Sequence, residues 1–369
     1  MGHIRLMKYN WQLPDWPGFR YELAEIEGSL LDFVDRAGLV SGSVQALPES
    51  EQNNAIADQM IVEALKTSEI EGEVLSRPDV ASSIRNGLGL NSPHQPVRDR
   101  ASAGAAELML AVRSNWGGDL SDAVLLDWHR ALMQGANNVT VGKWRSHVEP
   151  MQVVELTLGE PNVLYEAPPS AIVPAEMKGF VEWFNASRGQ IRHAPIRAGL
   201  AHLYFESVHP FEDGNGRIGR ALAEKALFQG VGRPLLLSLS QAIEADKSSY
   251  YASLQRAQCS NEVTDWLRYF VKMLLRALDD AQSRIEFVLK KTAFFDRYRE
   301  ALSERQLKVV RRMLDAGPSG FEGGVNASKY QRLTGVSKPT ATRDLQELMQ
   351  QGVLSSIGGG RSTRYELNL

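Results

Sequence analysis

The chain has 369 residues, 43% apolar and 23% charged, with a formal net charge of −3. That length allows two or three domains and a sizeable buried core. The near-neutral balance excludes a protein that coats nucleic acid with its whole surface, and the single cysteine, Cys259, excludes an internal disulfide and a multi-cysteine metal site and favours a reducing compartment. The opening MGHIRLMKYNWQLPDW lacks a long apolar run and a cleavage site, so no signal peptide is expected. With no run of about 18 apolar residues to span a bilayer, the expectation is a cytoplasmic protein without a membrane partner. There is no internal repeat.

Residues Tyr9 to Phe19 hold Trp11, Pro14, Trp16, Pro17 and Phe19. Prolines at that density forbid a helix. The segment reads as an extended clamp whose rings pin later helices; the alternative is a Trp-lined peptide groove. A helix is expected from Tyr21 to Ala37, with Leu23, Ile26, Leu30 and Val34 at helical spacing and Gly38 as its stop. A second covers Glu51 to Ile70, with Ile56, Met60, Ile61, Ala64 and Leu65 on its apolar face. It ends in TSEIEGE, Thr67 to Glu73. Thr67 and Glu71 lie four apart and share a face, and Gly72 marks the stop. Carboxylates are disfavoured at a helix C-terminus. Either this end is a solvated acidic tip, or a glutamate meets a cation elsewhere.

Ser76 and Pro78 start a short helix to Asn86, and Asn86 to Pro96 is a turn-rich connection. An alanine-rich helix follows from Val97 to Asn115. Ser121 caps another, in which His129 reads as a structural histidine. Met151 to Tyr165 has strand character at Val153, Val154, Leu156 and Leu158 and a turn near Gly159, which predicts a hairpin. A lone hairpin is marginal in water, so it reads as a lid or docking edge open to strand pairing. Helices are expected over Glu176–Asn185, Ala194–Val208, Asn215–Gln229 (closed by Gly230), Ala245–Ala257 and Glu262–Lys291, with KKTAFFDRYREAL as a linker.

Between two of these helices lies HPFEDGNGRIGR, His209 to Arg220. A helix N-terminus exposes unpaired N–H groups and the positive end of its dipole. Gly214 and Gly216 let such groups converge on an anion. Arg217 and Arg220 share a face and can fork onto phosphate oxygens. Asn215 can act as a neutral donor. Asp213 beside the nest is repelled by phosphate unless a divalent cation intervenes, and Mg²⁺ fits. His209 can move a proton near neutral pH. Pro210 and Phe211 anchor the loop, and Glu212 faces solvent. The competing reading, an ordinary turn with a buried histidine, leaves the carboxylate, the nest and both arginines without a cause.

This stretch resembles the Fic family signature, HxFx(D/E)GNGRxxR, at every specified position. The resemblance implies a mainly α fold: a helical core with a small β-hairpin flap. It also implies transfer of AMP from ATP to a Ser, Thr or Tyr hydroxyl of a target protein or of the enzyme itself. On that resemblance His209 is the general base and Asp213 holds Mg²⁺. Gly214, Asn215 and Gly216 form the anion hole, Arg217 binds the β-phosphate and Arg220 the γ-phosphate. The hairpin, with Leu158, Asn162, Val163 and Leu164, is the flap that aligns the target. Tyr250, Tyr251 and Gln258 lie on the adenine side. Homodimers are common among relatives. TSEIEG is similar to the family's inhibitory motif, (S/T)xxxE(G/N), carried here by Thr67, Glu71 and Gly72. Glu71 would then pair with Arg220 and take the γ-phosphate's place. Some members with this motif also remove AMP, the glutamate orienting a water.

From Ser303 the pattern changes. Helices are expected over Ser303–Leu314, Ala327–Leu333 and Lys338–Gln351, then a hairpin with a glycine tip over Val353–Leu367. This resembles a winged helix-turn-helix. Ser303 to Leu369 holds ten Lys/Arg against six Asp/Glu, a net charge of +4. Lys338, Thr340 and Arg343 fall on the recognition helix, with Arg361 and Arg364 on the wing. DNA binding and pure protein contact both remain open readings. The expected organisation is an N-terminal helical region over 1–96, a Fic core over 97–291 and a winged helix over 292–369. The leading function is protein adenylylation restrained by Glu71. The alternatives are a DNA-binding regulator whose core senses nucleotide, and a de-AMPylating enzyme. The loop reads phosphates and not the base, so UTP and GTP stay open.

Overall fold

The computed structural model describes residues 8–136, 139–155, 162–318, 320–359 and 363–369. The chain packs as two compact units: one comprises the residues up to Gly42 and Pro48–Asp279, the other Ser43–Leu47 and Asp280–Leu369. Among the described residues no helix is long and apolar enough to cross a membrane.

The opening segment of the first unit is a clamp, as its prolines predict. It holds one short 3-10 turn, Asn10–Gln12. Trp16 packs edge-on against Tyr204 at 5.0 Å between ring centroids, and its Nε1 donates to Glu176 Oε2 at 3.0 Å. Helix α1 (Glu27–Gln45) runs past Gly38, its expected stop. Burial of Phe33, Ala37 and Val40 on one face carries the helix through, because packing overrides the roughly 1 kcal/mol that glycine costs.

Helices α2 (Glu49–Ile70), α3 (Arg77–Gly87), α4 (Arg100–Ser114) and α5 (Asp122–Leu132) follow. Ser76, Asp99 and Ser121 cap the last three by accepting the N–H groups of Asp79, Ser102 and Val124. Gly104 on α4 brings that helix tight against α5: a Cβ there would sit 2.2 Å from the Ala131 carbonyl oxygen. Strands β1 (Gln152–Glu155) and β2 (Asn162–Glu166) form the expected hairpin. Val153 pairs with Tyr165 and Val154 with Val163, so Leu164 is the extra residue of a bulge. Leu158 lies outside the described residues.

Helix α6 (Val173–Gln190) leads to α7 (Ala194–Val208), which is buried along its whole length. Helix α8 (Asn215–Val231) ends at Gly232, φ 79°, and not at Gly230. Gly230 instead packs on Ala194, where a Cβ would come within 2.5 Å. Then come α9 (Leu239–Glu244), α10 (Lys247–Ala257) and α11 (Thr264–Tyr298). Helix α11 continues through most of the expected linker. The buried Phe294 shows why, since that stretch has an apolar face of its own.

The second unit continues with α12 (Glu304–Leu314), α13 (Ala327–Thr334), α14 (Lys338–Gln350), β3 (Leu354–Ile357) and β4 (Arg364–Leu367). This is the helix-turn-helix and wing order that the sequence predicts. Val309, Val310, Tyr330, Ala341, Leu345 and Leu348 build its core. Asp344 turns inward from α14 to accept from the Tyr330 hydroxyl at 2.9 Å and from Arg305 Nε at 2.7 Å.

The α4–α5 approach sets where α5, and with it His129, stands. Gly104→Ala is expected to cost about 2 kcal/mol through forced separation of the two backbones. Thermal unfolding of the full chain checks this, and an unchanged midpoint would argue against the close approach.

Candidate functional site

Helix α7 delivers His209 as its C-cap. Among the described residues His209 is the one non-glycine with positive φ, at 49°. That left-handed turn costs about 1 kcal/mol or more and must be held by its surroundings. Arg145 holds it. Its buried guanidinium donates to the carbonyls of His209 (2.7 Å), Pro168 (2.5 Å) and Val208 (3.2 Å) and to Ser170 Oγ (2.9 Å). Its own N–H donates to the Pro210 carbonyl at 2.9 Å.

The loop beyond is braced from both sides. Phe211 is buried and stacks on His129 with ring centroids 4.0 Å apart. His129 Nδ1 accepts the Gly142 N–H at 2.8 Å, which leaves Nε2 to donate to the Asp213 carbonyl at 3.2 Å. Asn215 Oδ1 accepts the Phe211 N–H at 2.9 Å and its Nδ2 donates to the Phe211 carbonyl at 2.8 Å. The Asn215 amide thus closes the loop upon itself. It does not face an anion, contrary to the donor role read from sequence. Glu212 is half-buried and accepts from Thr140 N at 2.8 Å, where the sequence predicts a solvent-facing carboxylate.

Helix α8 begins at Asn215 after Gly214, φ 83°, so the N–H groups of its first turn point out of the helix. A carboxylate already lies there. A Cβ on Gly216 would sit 2.2 Å from Glu71 Oε1. The same Oε1 accepts from Arg220 Nη2 at 2.8 Å. Thr67 completes the grip: its hydroxyl accepts from Arg220 Nε and its carbonyl from Nη2, both at 2.8 Å. Gly72, φ 84°, turns the chain away after the α2 C-cap at Glu71. The acidic helix end therefore has its cation. Glu73 adds a second contact, to Arg217 Nη1, while Arg217 Nη2 lies 3.3 Å from Asp213 Oδ1.

A cavity of about 210 Å³ adjoins these groups. It brings Glu71, His209, Gly216 and Arg220 together with Tyr250, Tyr251, Gln258 and the hairpin's Leu164. Val163 is half-exposed outside it. Tyr250 is buried with its hydroxyl 2.7 Å from His202 Nε2, and Gln258 Nε2 donates to the Glu206 carbonyl at 3.1 Å. Lys338 and Arg343 on α14 and Arg364 on β4 are exposed and Thr340 is half-buried, while Arg361 lies outside the described residues.

Charge states follow from burial. Burial and then the nearby Arg145 push the His209 imidazole down to about 4, leaving it neutral at pH 7. Burial would raise the Glu71 carboxyl, but the Arg220 charge and hydrogen bond, with Arg217 and His209 behind them, hold it below its ordinary value. Burial also pushes Glu206 up to about 8, against the pull of Arg220 and with the help of Glu71. Glu206 Oε2 lies 3.7 Å from His209 Nδ1.

Four residues escape a reading by motif. Arg145 sits in GKWR and carries the loop, although nothing nearby in sequence marks it. Glu206 is a lone carboxylate inside the buried run LYFESV, which is itself a signal. Glu73 closes an acidic triplet whose partners sequence leaves open. His129 is structural, as predicted, but what it supports is the loop.

The mainly helical scaffold thus carries a glycine-turned helix start beside a histidine and a hairpin. Residues 119–227 match the Fic/DOC family. Residues 9–90 match a domain of unknown function, DUF4172, and residues 322–368 match the C-terminal domain of the transcriptional regulator DIP2311-like family. The protein adenylyltransferase fic-1 of Caenorhabditis elegans is 27% identical over 212 residues, which is 56% of this chain and 38% of the relative. The protein adenylyltransferase Fic of Drosophila melanogaster is 28% identical over 134 residues, 36% of this chain and 26% of the relative. The chain thus spans well under half the length of these curated relatives. A Fic family protein from Desulfovibrio desulfuricans shares the fold with a TM-score of 0.53 and 19% identity, covering 92% of this chain and 96% of that one. A Fic-1 structure from C. elegans gives 0.53 and 21%, covering 73% and 74%.

The two buried imidazoles predict an acid limb of stability. His202 and His209, both pushed down to about 4 from 6.5, bind protons in the unfolded chain before the folded one. Stability is expected to fall as pH drops from about 6.5 to about 4. Glu206, raised to about 8, works the other way, and its contribution is lost as pH rises through that value. Histidine NMR titration with pH-dependent unfolding checks this. Titration of either imidazole near 6.5 would contradict its burial.

Proposed function

We propose that the chain is a protein adenylyltransferase, transferring AMP from ATP to a hydroxyl of a target protein or of itself, with the end of α2 as a built-in brake. One observation carries this reading. The Glu71 carboxylate lies over the first turn of α8 and on Arg220, where an anion's charge is best accommodated, with His209 facing the same cavity.

In the transfer, the target hydroxyl oxygen forms a bond to the α-phosphorus. The bond from that phosphorus to the α–β bridging oxygen breaks, and pyrophosphate leaves with the electron pair. His209 takes the hydroxyl proton, which its neutral state at pH 7 permits. The first turn of α8 with Gly214 and Gly216 cradles phosphate through backbone N–H groups. Arg217 and Arg220 take the β- and γ-phosphates. Tyr251, 36% exposed, lines the same cavity as Tyr250 and Gln258, which supports their assignment to the adenine side. The bulged β2, with Val163 and Leu164, aligns the target chain by backbone pairing.

Among the described residues no cluster of three or more His, Cys, Asp or Glu side chains could hold a metal alone. Asp213, half-exposed with Oδ1 engaged by Gly214 N, suits a cation shared with phosphates. Asp213 would hold Mg²⁺, which would neutralise phosphate charge there.

Glu71→Gly should raise Mg²⁺-dependent self-labelling by ATP at least tenfold, and His209→Ala in that background should abolish it. Intact mass spectrometry with each nucleoside triphosphate in turn reads both the reaction and the base. A Glu71→Gly protein that gains no nucleotide monophosphate would sink this reading.

A second reading concerns the C-terminal unit. The match of residues 322–368 to a transcriptional-regulator family, and the exposed Lys338 and Arg343 on α14 and Arg364 on β4, support DNA binding through α14 and the wing. Arg343→Ala should weaken duplex binding and lower its salt slope by about one. Binding with no salt dependence would argue for protein contact instead.

A further inference from the structure

Residues Tyr9 to Trp11 lie within the match to a domain of unknown function, yet they contact Tyr165 and Gln258, which line the cavity, and Glu166 and Ser207 beside it. Trp11 Nε1 donates to the Glu166 carbonyl, at the base of β2, at 2.8 Å. Asn10 is fully buried. Its side-chain amide donates to Ser207 Oγ at 2.8 Å, two residues before His209, and its N–H donates to the Gln258 carbonyl at 2.7 Å. Tyr9 packs edge-on against Tyr165 of β2 at 4.9 Å, and the Tyr165 hydroxyl donates to the Ser207 carbonyl at 2.6 Å.

We infer that Tyr9, Asn10 and Trp11 form a positioning strap that fixes the target-aligning hairpin in register with the helix end that carries His209. A two-stranded hairpin is marginal in water by itself, and a docking edge must hold a target hydroxyl within hydrogen-bond reach of the base. The strap meets both needs. Its two ends hold β2, Tyr9 on Tyr165 and Trp11 on Glu166, while the middle residue Asn10 holds α7 through Ser207 and binds Gln258 at the end of α10 with its backbone N–H. The three contacts come from consecutive residues, so flap and base cannot drift apart without breaking the short 3-10 turn between them. The paired parallel bridge of Arg20 with Glu262, with Asp15 accepting from Asn261 Nδ2 at 2.9 Å, ties the far end of the clamp to the start of α11.

The inference rests on the adenylyltransferase reading for its catalytic consequence, but not for its structural one. Trp11→Phe keeps an aromatic ring and removes only the donor. Hydrogen exchange in the full chain should show amides of residues 163–166 opening about fivefold to tenfold faster, the worth of one hydrogen bond, with α7 and α8 unchanged. In the Glu71→Gly background the same substitution should lower the rate of AMP transfer to a hydroxyl several-fold and leave the KM for ATP unaltered. Asn10→Ala should do the same more strongly. Unchanged exchange in the hairpin overturns the strap whether or not the protein transfers AMP. Equal acceleration across α7 and α8 also overturns it, by showing a general loss of stability. Faster hairpin exchange with an unaltered transfer rate overturns its catalytic role alone, and absence of all labelling in the Glu71→Gly parent counts against the adenylyltransferase reading and not against the strap.

Discussion

The site depends on how one buried cation is satisfied. Arg220 is 2% exposed, and its guanidinium meets the hydroxyl and carbonyl of Thr67 and the carboxylate of Glu71. Burial lowers a guanidinium's affinity for its proton, but the Glu71 charge more than offsets that and holds Arg220 firmly ionised. Leaving such a group unpaired costs about 3–5 kcal/mol. The end of α2 is therefore held in place by what Arg220 would lose. On the proposed reading, a polyphosphate would displace Glu71 by offering the same guanidinium an equivalent partner. In that proposal the Glu71 carboxylate and the phosphate would compete for one cation, and the balance between them would be a difference of two large terms.

The loop that leads into the helix of Arg220 is held by groups that lie largely outside it. His209 stands in a left-handed conformation, and Arg145 reaches the carbonyls on both sides of that turn. His129 and Phe211 form a stacked pair beneath the loop, and Asn215 spans it from within. None of these contacts involves Glu71 or Arg220. Preorganised donors act without a reorganisation cost at the moment of reaction, which is the physical reason to build the loop on two buried helices.

That division explains what was legible in the sequence. The run from His209 to Arg220 could be read because its chemistry is local: glycines, arginines and a carboxylate within twelve residues. The i, i+4 spacing puts Thr67 and Glu71 on one helical face, but the pairing of Glu71 with Arg220 was legible only through the resemblance to the family's inhibitory motif. The caps at Ser76 and Ser121 are local too. What escaped was set by contact across the chain. Gly38 and Gly230 look like helix stops but lie inside helices, one tolerated by burial on the opposite face and the other needed for close packing. The Asn215 amide looks like an anion donor until its partners at Phe211 are seen. Arg145 lies more than sixty residues from the turn it holds, and no periodicity carries that information.

The two carboxylates after α2 are unequal, and the inequality says how a restraint of this kind can be graded. Glu71 is 29% exposed against an Arg220 side chain at 1%, whereas Glu73 is 43% exposed against an Arg217 side chain at 3%. The more exposed pair is better screened and contributes less. Arg217 also keeps Asp213 as a partner on its other side, so losing Glu73 leaves it paired, while losing Glu71 leaves Arg220 with Thr67 alone. The restraint therefore resides in the Glu71 contact. Glu73 narrows the positions open to the chain after Gly72, and its pairing favours the fold of the turn that keeps Glu71 over the first turn of α8.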